Sequence, residues 1–380
     1  NTYDNKYVDR QQNGVGRLRL AYKPNERLRF VFSSQYDNSS QKGYPYALYN
    51  DKKNQIQKVN YNDESYYDRE MLSNSLVTSY AFKPFILESV TAYQHIKDKQ
   101  VVDQDFTPRD MFSGQQKQNI NILSQEIYLK SKPKKDAKYE WITSVFAFYQ
   151  HVDKNVDVNF KKDAVAVIPK LPAPMYYQEN FDNHNFAWAI SHESTFNDVL
   201  IKGLSVNLGL RFDREYSDLD FIKDTYLTAS NKKIKALNFD SNLHFSQWLP
   251  KAGLNYHLSP GANTYVSISK GYKVGGFNTS FAQEEDRTYS PEYSWNYEWG
   301  IKALLWEKKL RTSLSLFYID WRNQQVYQPI VDKKGQVRPG SLLQNAGKSR
   351  SKGLEFSATA FITHNLQMNA RLGYTDAEYV

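Results

Sequence analysis

The chain has 380 residues, 40% hydrophobic and 15% aromatic, with no Cys and a formal net charge of +8; its mean hydropathy is −0.70. The 29 Tyr, 21 Phe and 7 Trp exclude a disordered chain, and the lack of Cys excludes disulfide and thiolate chemistry. No run of about 18 apolar residues exists, so no transmembrane helix is available, but a spanning strand needs only about 9–11 residues with alternate ones apolar and keeps a low average hydropathy.

From the N-terminus onward, strand signals alternate with two kinds of connection. Seven hairpins are predicted around short turns. The strand pairs are 15–23 with 27–37, 71–82 with 86–106, 119–132 with 139–160, 178–196 with 204–221, 243–258 with 264–278, 293–306 with 310–329, and 342–362 with 366–380. The turns between partners, such as YKPNE (22–26), TFNDVLIKG (195–203) and SPGAN (259–263), carry Pro, Gly, Asn, Asp and Lys. The connections between hairpins are long and polar, at roughly 38–70, 107–118, 161–177, 222–242, 279–292 and 330–341. Successive turns of an up-and-down sheet lie at opposite ends, so the short turns share one end and the long loops the other. That sorting is what outer-membrane barrels show, and a soluble sandwich has no reason for it.

The strands say which solvents their faces meet. In LSVNLGLRFD (204–213), Leu204, Val206, Leu208, Leu210 and Phe212 alternate with Ser205, Asn207, Gly209, Arg211 and Asp213. In 293–305, Tyr293, Trp295, Tyr297, Trp299, Ile301, Ala303 and Leu305 share a face that runs from aromatic to aliphatic, as from interfacial girdle into hydrocarbon. In 264–274 the same pattern holds except that Lys270 falls on the apolar face, so either it snorkels to an interface or the alternation assigns the wrong face there. The expected fold is an all-β transmembrane antiparallel up-and-down barrel domain over 1–380, with apolar faces toward lipid and Arg211, Glu298 and Glu355 toward a polar lumen. Lys- and Arg-rich stretches such as SKPKKDAK (131–138) and NKKIK (231–235) read as solvated loops, or as attraction to anionic lipid heads.

Catalytic patterns are missing: HExxH, GxSxG, Walker A and dinucleotide fingerprints do not occur. His184 and His192 share one strand face but would lie about 27 Å apart, so no metal site is expected. The carboxylates of DREYSDLD (213–220) read as solvated rim charges rather than an acid–base pair, and KVGG (273–276) as a flexible strand-to-loop transition.

Four strings, in order, resemble TonB-dependent outer-membrane receptors, with the best likeness to ferric-siderophore receptors of the pesticin and yersiniabactin type. They are NILSQEIYLKSKP (121–133) with WITSVFAFY (141–149), TYVSISKGYKVGGFN (264–278), SPEYSWNYEWGIKALLWEKKLRTSLSLFYIDWRNQ (290–324) and LQNAGKSRSKGLEFSATAFI (343–362). The resemblance implies an internal segment, about fourteen strands of a barrel of about twenty-two, without its plug and terminal strands. It implies import of a scarce ligand, a ferric siderophore first, coupled to the TonB complex through a missing N-terminal region. Uptake of vitamin B12, haem or a carbohydrate, and a passive porin, are the alternatives; an outer-membrane enzyme and a secreted glycan-binding sheet fit less. No resident cofactor is expected, since iron enters only inside a chelate, and no nucleic-acid partner; the other partner is outer-membrane lipid and lipopolysaccharide. Family members hold ligand between plug and upper barrel wall, so the candidate ligand contacts are Arg214, Tyr272, Lys273, Phe277, Arg322 and Tyr327. Basic groups there could pair with siderophore carboxylates or phenolates, and rings could stack on aryl groups.

Overall fold

The computed structural model describes residues 8–168, 171 and 173–380. Its strands are β1 (Gln11–Tyr22), β2 (Leu28–Lys42), β3 (Tyr49–Asn50), β4 (Gln55–Ile56), β5 (Tyr66–Ala81), β6 (Phe85–Asp103), β7 (Phe112–Ser131) and β8 (Tyr139–Phe160). A short helix α1 (Lys162–Val167) follows, then β9 (Met175–Phe196), β10 (Leu204–Leu227), β11 (Lys232–Ser259), β12 (Ala262–Lys273) and β13 (Gly276–Phe277). The last are β14 (Thr288–Tyr289), β15 (Glu292–Leu305), β16 (Leu310–Val331), β17 (Val337–Thr363) and β18 (Leu366–Tyr379). Fourteen of them form one sheet in chain order, with β1 and β18 at its edges, while β3–β4 and β13–β14 are separate two-stranded ribbons. Every neighbouring pair is antiparallel, from β1–β2 through β10–β11 to β17–β18.

Local chemistry closes the short turns. Asn25 Oδ1 accepts from the N–H groups of Arg27 and Leu28, both at 2.9 Å, and so turns β1 into β2. Between β9 and β10, Gly203 sits at φ +87 with its N–H donating to Asp198 at 2.7 Å, while Lys138 pairs with the same carboxylate at 2.7 Å. An L side chain at Gly203 would be strained by that φ and would crowd the His257 carbonyl at 3.2 Å.

Two of the six long connections are not loops. Residues 222–242 continue β10 and β11 to a turn at 228–231, and 330–341 continue β16 and β17 around a turn at 332–336. In the latter, Asp332 Oδ1 accepts from the N–H groups of Lys334 and Gln336, each at 2.9 Å, and Arg338 pairs with the carboxylate at 2.5 Å. The physical reason for the difference is solvent. Beyond the bilayer both faces meet water, so the period-two pattern fades while the backbone ladder persists.

An interior core is nearly missing: among the described residues only nine apolar ones are buried, Phe221 at 1% and Leu342 at 1% among them. The large apolar side chains are exposed on one face instead. On β10 these are Leu208 (49%) and Leu210 (48%), on β9 Trp188 (37%) and Ile190 (48%), on β8 Val145 (48%), and on β16 Leu316 (44%). Register aligns them, with Phe212 between Ile190 and Trp248. Such a continuous apolar surface is stable only against hydrocarbon. Toward the short turns it ends in Tyr139 and Phe196, ring centroids 5.1 Å apart. Toward the other end it reaches Tyr149, Phe186 and Tyr216, which are register neighbours.

The opposite face is a polar ladder. Gln94 donates to Ser73 at 2.9 Å, Asn207 to Glu193 at 2.8 Å, and Lys251 pairs with Glu193 at 3.2 Å. Arg211 Nε meets Asp213 Oδ1 at 2.7 Å. Asp213 is only 7% exposed, so it belongs to this inner ladder and not to a solvated rim.

Candidate ligand-binding wall

The inner wall above the bilayer is built at three places. The first is the corner of β12, β15 and β16. The β11–β12 ladder ends at Lys251 and Ser269, and above it β11 pairs only with β10. Tyr272 and Tyr293, opposite each other in register, reach into this opening. The Tyr272 hydroxyl donates to Glu215, and Gln247 Nε2 donates to the Tyr293 hydroxyl at 2.8 Å. Lys270 lies 4.9 Å from the Tyr293 ring centroid, which accounts for a cation on this face.

The second is the segment from 274 to 291, which is strapped to β16 and β17. Asn278 donates to the Leu343 carbonyl at 2.9 Å and accepts from the Leu343 N–H at 2.9 Å. Asn345 donates to the carbonyls of Ser290 and Asn323, both at 2.8 Å, and Gln325 donates to those of Val274 (2.7 Å) and Ser290 (3.1 Å). Glu292, 3% exposed, accepts from the Gln325 N–H at 2.6 Å. The KVGG stretch is therefore tightly packed rather than flexible. A Cβ on Gly275 would collide with the Tyr289 carbonyl oxygen and the Phe245 ring.

The third is a row of rings across β9, β10, β11 and the strapped segment. Phe181 meets Phe221 at 4.9 Å, Phe221 meets Phe239 at 5.1 Å, and Phe239 meets Phe281 at 5.8 Å. Cations cap both ends. Lys154 Nζ lies 3.7 Å from the Phe181 centroid, and the Arg287 guanidinium lies 4.7 Å from that of Phe239. Burial holds the Lys154 ammonium below its ordinary pKa, with the Glu179 charge opposing. Beside it Lys223 pairs with Glu179 at 2.6 Å and stands 3.8 Å from the Tyr177 centroid.

The other outer connections are latched together. Asp103, fully buried, accepts from the N–H groups of Asn62 and Asp63 at 3.1 Å and of Phe106 at 2.8 Å. Burial pushes its carboxyl up, against the pull of those N–H donors. Lys161 joins Asp63 (2.5 Å) to Asp110 (3.2 Å).

Against this frame the sequence-derived contacts divide. Tyr272 and Lys273 share the corner, where Lys273 pairs with Glu292 at 3.6 Å. Arg322 stands opposite Tyr293 with its guanidinium 2.7 Å from Asp320, on the same even-numbered face of β16 as the lipid-side Leu316. Phe277 lies in the strapped segment opposite Thr288, and Tyr327, 74% exposed, stands opposite Leu343 above it. Arg214 does not join them. It is on the lipid-side set, opposite Trp188 and Ser246 and 5.0 Å from the Tyr216 centroid. Its odd-numbered neighbours Arg211 and Asp213 make the inner ladder, so strand alternation turns Arg214 outward. Arg211 stands 5.9 Å from the Phe146 centroid, Glu298 accepts from Tyr265, and Glu355 lies opposite Ser315. Sequence reasoning missed Lys154, Arg287 and the four-ring row, whose members come from three separate strands and the strapped segment at no fixed spacing.

The sheet and its two faces define a transmembrane β-barrel wall of a bacterial outer membrane. The whole chain, residues 1–380, matches the family described as TonB dependent receptor-like, beta-barrel, and it belongs to that family. It is 26% identical over 171 residues to the metal-pseudopaline receptor CntO of Pseudomonas aeruginosa, covering 45% of this chain and 22% of that one. It shares its fold with the ferric yersiniabactin uptake receptor FyuA from Yersinia pestis, with TM-score 0.77, 16% identity, and coverage of 97% of this chain and 52% of that one. The siderophore receptor PiuA from Acinetobacter baumannii gives TM-score 0.67 at 14% identity, covering 97% of this chain and 57% of that one. The chain thus spans about half the length of the solved relatives and about a fifth of the curated one.

Proposed function

We propose that this wall belongs to an energy-coupled importer whose ligand is a chelated transition-metal ion, a ferric siderophore first. The observation that carries the reading is the row Phe181, Phe221, Phe239 and Phe281 capped by Lys154 and Arg287 above the bilayer. Rings flanked by cations suit a bulky anionic chelate bearing aryl or carboxylate groups, with the buried Phe221 holding Phe181 and Phe239 in place rather than meeting the ligand. Lys273, Phe277 and Tyr327 would meet the same ligand from the β12–β15–β16 corner, with Tyr272 holding the corner closed. The names of the similar receptors, for ferric yersiniabactin and for metal-pseudopaline, point the same way. The protein performs no reaction. It captures a scarce chelate, and the TonB complex, acting on a plug inside the lumen, releases it inward. Outer-membrane lipid and lipopolysaccharide cover the apolar face.

The test combines binding and transport by the full-length receptor. Quenching of its tryptophan fluorescence by ferric catecholate, phenolate and carboxylate chelates is expected, with none by haem, cobalamin or maltodextrins. Radioiron uptake should stop when the proton-motive force is collapsed. Selective quenching by one of the other three ligands would move the importer to that cargo. Uptake that survives the collapse, with steady conductance in a planar bilayer, would mean a passive channel and end the proposal.

A further inference from the structure

The outer face carries a cluster that the lumen does not use. His151 on β8 stands directly opposite His184 on β9, and Asp182 is two residues from His184 on the same face. The same alternation contains Tyr149 (42% exposed), Phe186 (43%) and Ile190 (48%), so all three side chains point away from the lumen. They lie one pleat repeat, about 7 Å, beyond the upper aromatic girdle, at the level of lipid headgroups.

Three ligand atoms converge there. His151 Nε2 is 2.7 Å and His184 Nε2 is 3.2 Å from the same oxygen, Asp182 Oδ1, and the three atoms lie within 4.8 Å of one another. Donors on one tetrahedral Zn²⁺, at about 2.0–2.1 Å from the metal, stand about 3.3 Å apart. The His184–Asp182 separation already matches that spacing, and the His151–Asp182 pair would open by about 0.6 Å. The imidazoles are stacked at 4.3 Å with planes 2° apart. An ion lies in the plane of each imidazole it binds, so a ring would turn about χ2 to share it, while the sheet register keeps the two residues directly opposite. The Tyr149 hydroxyl is 2.8 Å from His184 Nδ1. With an ion on Nε2 the Nδ1–H would donate to that hydroxyl, the support that metal-bound histidines have. Asp153 and Asp220 stand on either side of Asp182 in register and deepen the negative potential.

We propose that His151, Asp182 and His184 form a divalent transition-metal site on the outer face of the barrel, with Tyr149 as a positioning residue and at least one position open to water or an anionic oxygen. Zn²⁺ suits a pair of imidazoles with one carboxylate. The ion would clip β8 to β9 outside the import path, so the site stands whatever cargo the lumen carries.

The experiment uses the full-length receptor in detergent micelles, stripped with chelator and titrated with Zn²⁺ by calorimetry and equilibrium dialysis. Wild type should bind one equivalent more than His184→Ala or Asp182→Asn. Tyr149→Phe should weaken that equivalent roughly tenfold. His192→Ala, on the same strand face but remote, should leave it unchanged. Heat-modifiable electrophoretic mobility checks that each variant is folded. Independently of any variant, Zn²⁺ should protect His151 and His184 of the wild type from carbethoxylation, mapped by mass spectrometry. Equal stoichiometry in wild type and His184→Ala, or no protection of these two histidines, overturns the proposal.

Discussion

The lower and upper halves of the same strands obey different rules. Leu210 and Ile222 both lie on β10, twelve residues apart on one face, and are equally exposed at 48% and 47%. Leu210 has Pro250 and His192 as register neighbours, inside the hydrocarbon band. Ile222 has Asn238 and Asn180 instead, in the zone where both faces are wet. The lower half is specified by what surrounds it, the upper half by what its own side chains bind. An exposed leucine is thus a buried one in the lower half, and an ordinary surface residue in the upper half.

The sharpest way to break this comparison is one substitution made twice. Leu210→Arg should cost about 2–4 kcal/mol, because a cation would sit near the bilayer midplane. Ile222→Arg should cost no more than about 1 kcal/mol, the value near or beyond the interface. Denaturant titration of the receptor refolded into liposomes reads both. Equal costs would mean that the band has been placed at the wrong height.

The next effect belongs to the upper half alone. Asp103→Ala removes the acceptor for four backbone N–H groups, those of residues 62, 63, 105 and 106, which it ties to the end of β6. Stranding buried donors costs about 1–3 kcal/mol. That cost should appear as lost hydrogen-exchange protection and faster protease nicking between 43 and 65, with the spanning strands unchanged. Loss of protection throughout β5 and β6 would show that the two halves are not separate.

A smaller pair of substitutions sharpens the difference between inner and outer faces. Arg287→Ala removes the guanidinium from the Phe239 and Phe281 rings. The same cation facing an aryl chelate would contribute about 0.5–1 kcal/mol, so affinity for a ferric aryl chelate should fall roughly two- to fivefold. Arg214→Ala, on the lipid side, should leave the affinity unchanged. Fluorescence quenching measures both, and an Arg214 effect as large as that of Arg287 would mean that the register assigns the wrong face.

The lower half was legible because lipid imposes a rule on every second residue. LSVNLGLRFD (204–213) states it outright, and Asn25, Asp198 and Gly203 mark turns whose chemistry is local. The upper half was not, because its order comes from partners distant in the chain. Asn278 finds Leu343, Lys161 finds Asp63, and Phe221 is enclosed by Phe181 and Phe239. No spacing along the sequence announces these pairs. Residues 222–242 read as loop for the same reason, since nothing there requires one face to be apolar. The histidines make the point in miniature. Along its strand His184 has only the remote His192, whereas across the sheet it has His151.

The smallest predicted effect lies in a narrow pH window and isolates one latch of the upper half. Lys161 is buried enough to disfavour its charge, but the hydrogen bonds and charges of Asp63 and Asp110 outweigh this and hold its pKa above the ordinary 10.5. A folded value above the opened one means that the closed latch binds the proton more tightly. Its contribution is therefore complete below the ordinary lysine pKa and is lost as pH rises through the folded value. Nicking between 43 and 65 by an alkali-tolerant protease should stay flat from about pH 6 to about pH 10 and rise only above the ordinary lysine range. In Lys161→Met it should start higher and stay level across the same range. A wild-type rise near neutrality would assign the latch to histidine, and a rise in Lys161→Met at the same alkaline pH would assign it to another group. Either result would take from Lys161 its role in joining the β2–β5 connection to the β8–β9 connection.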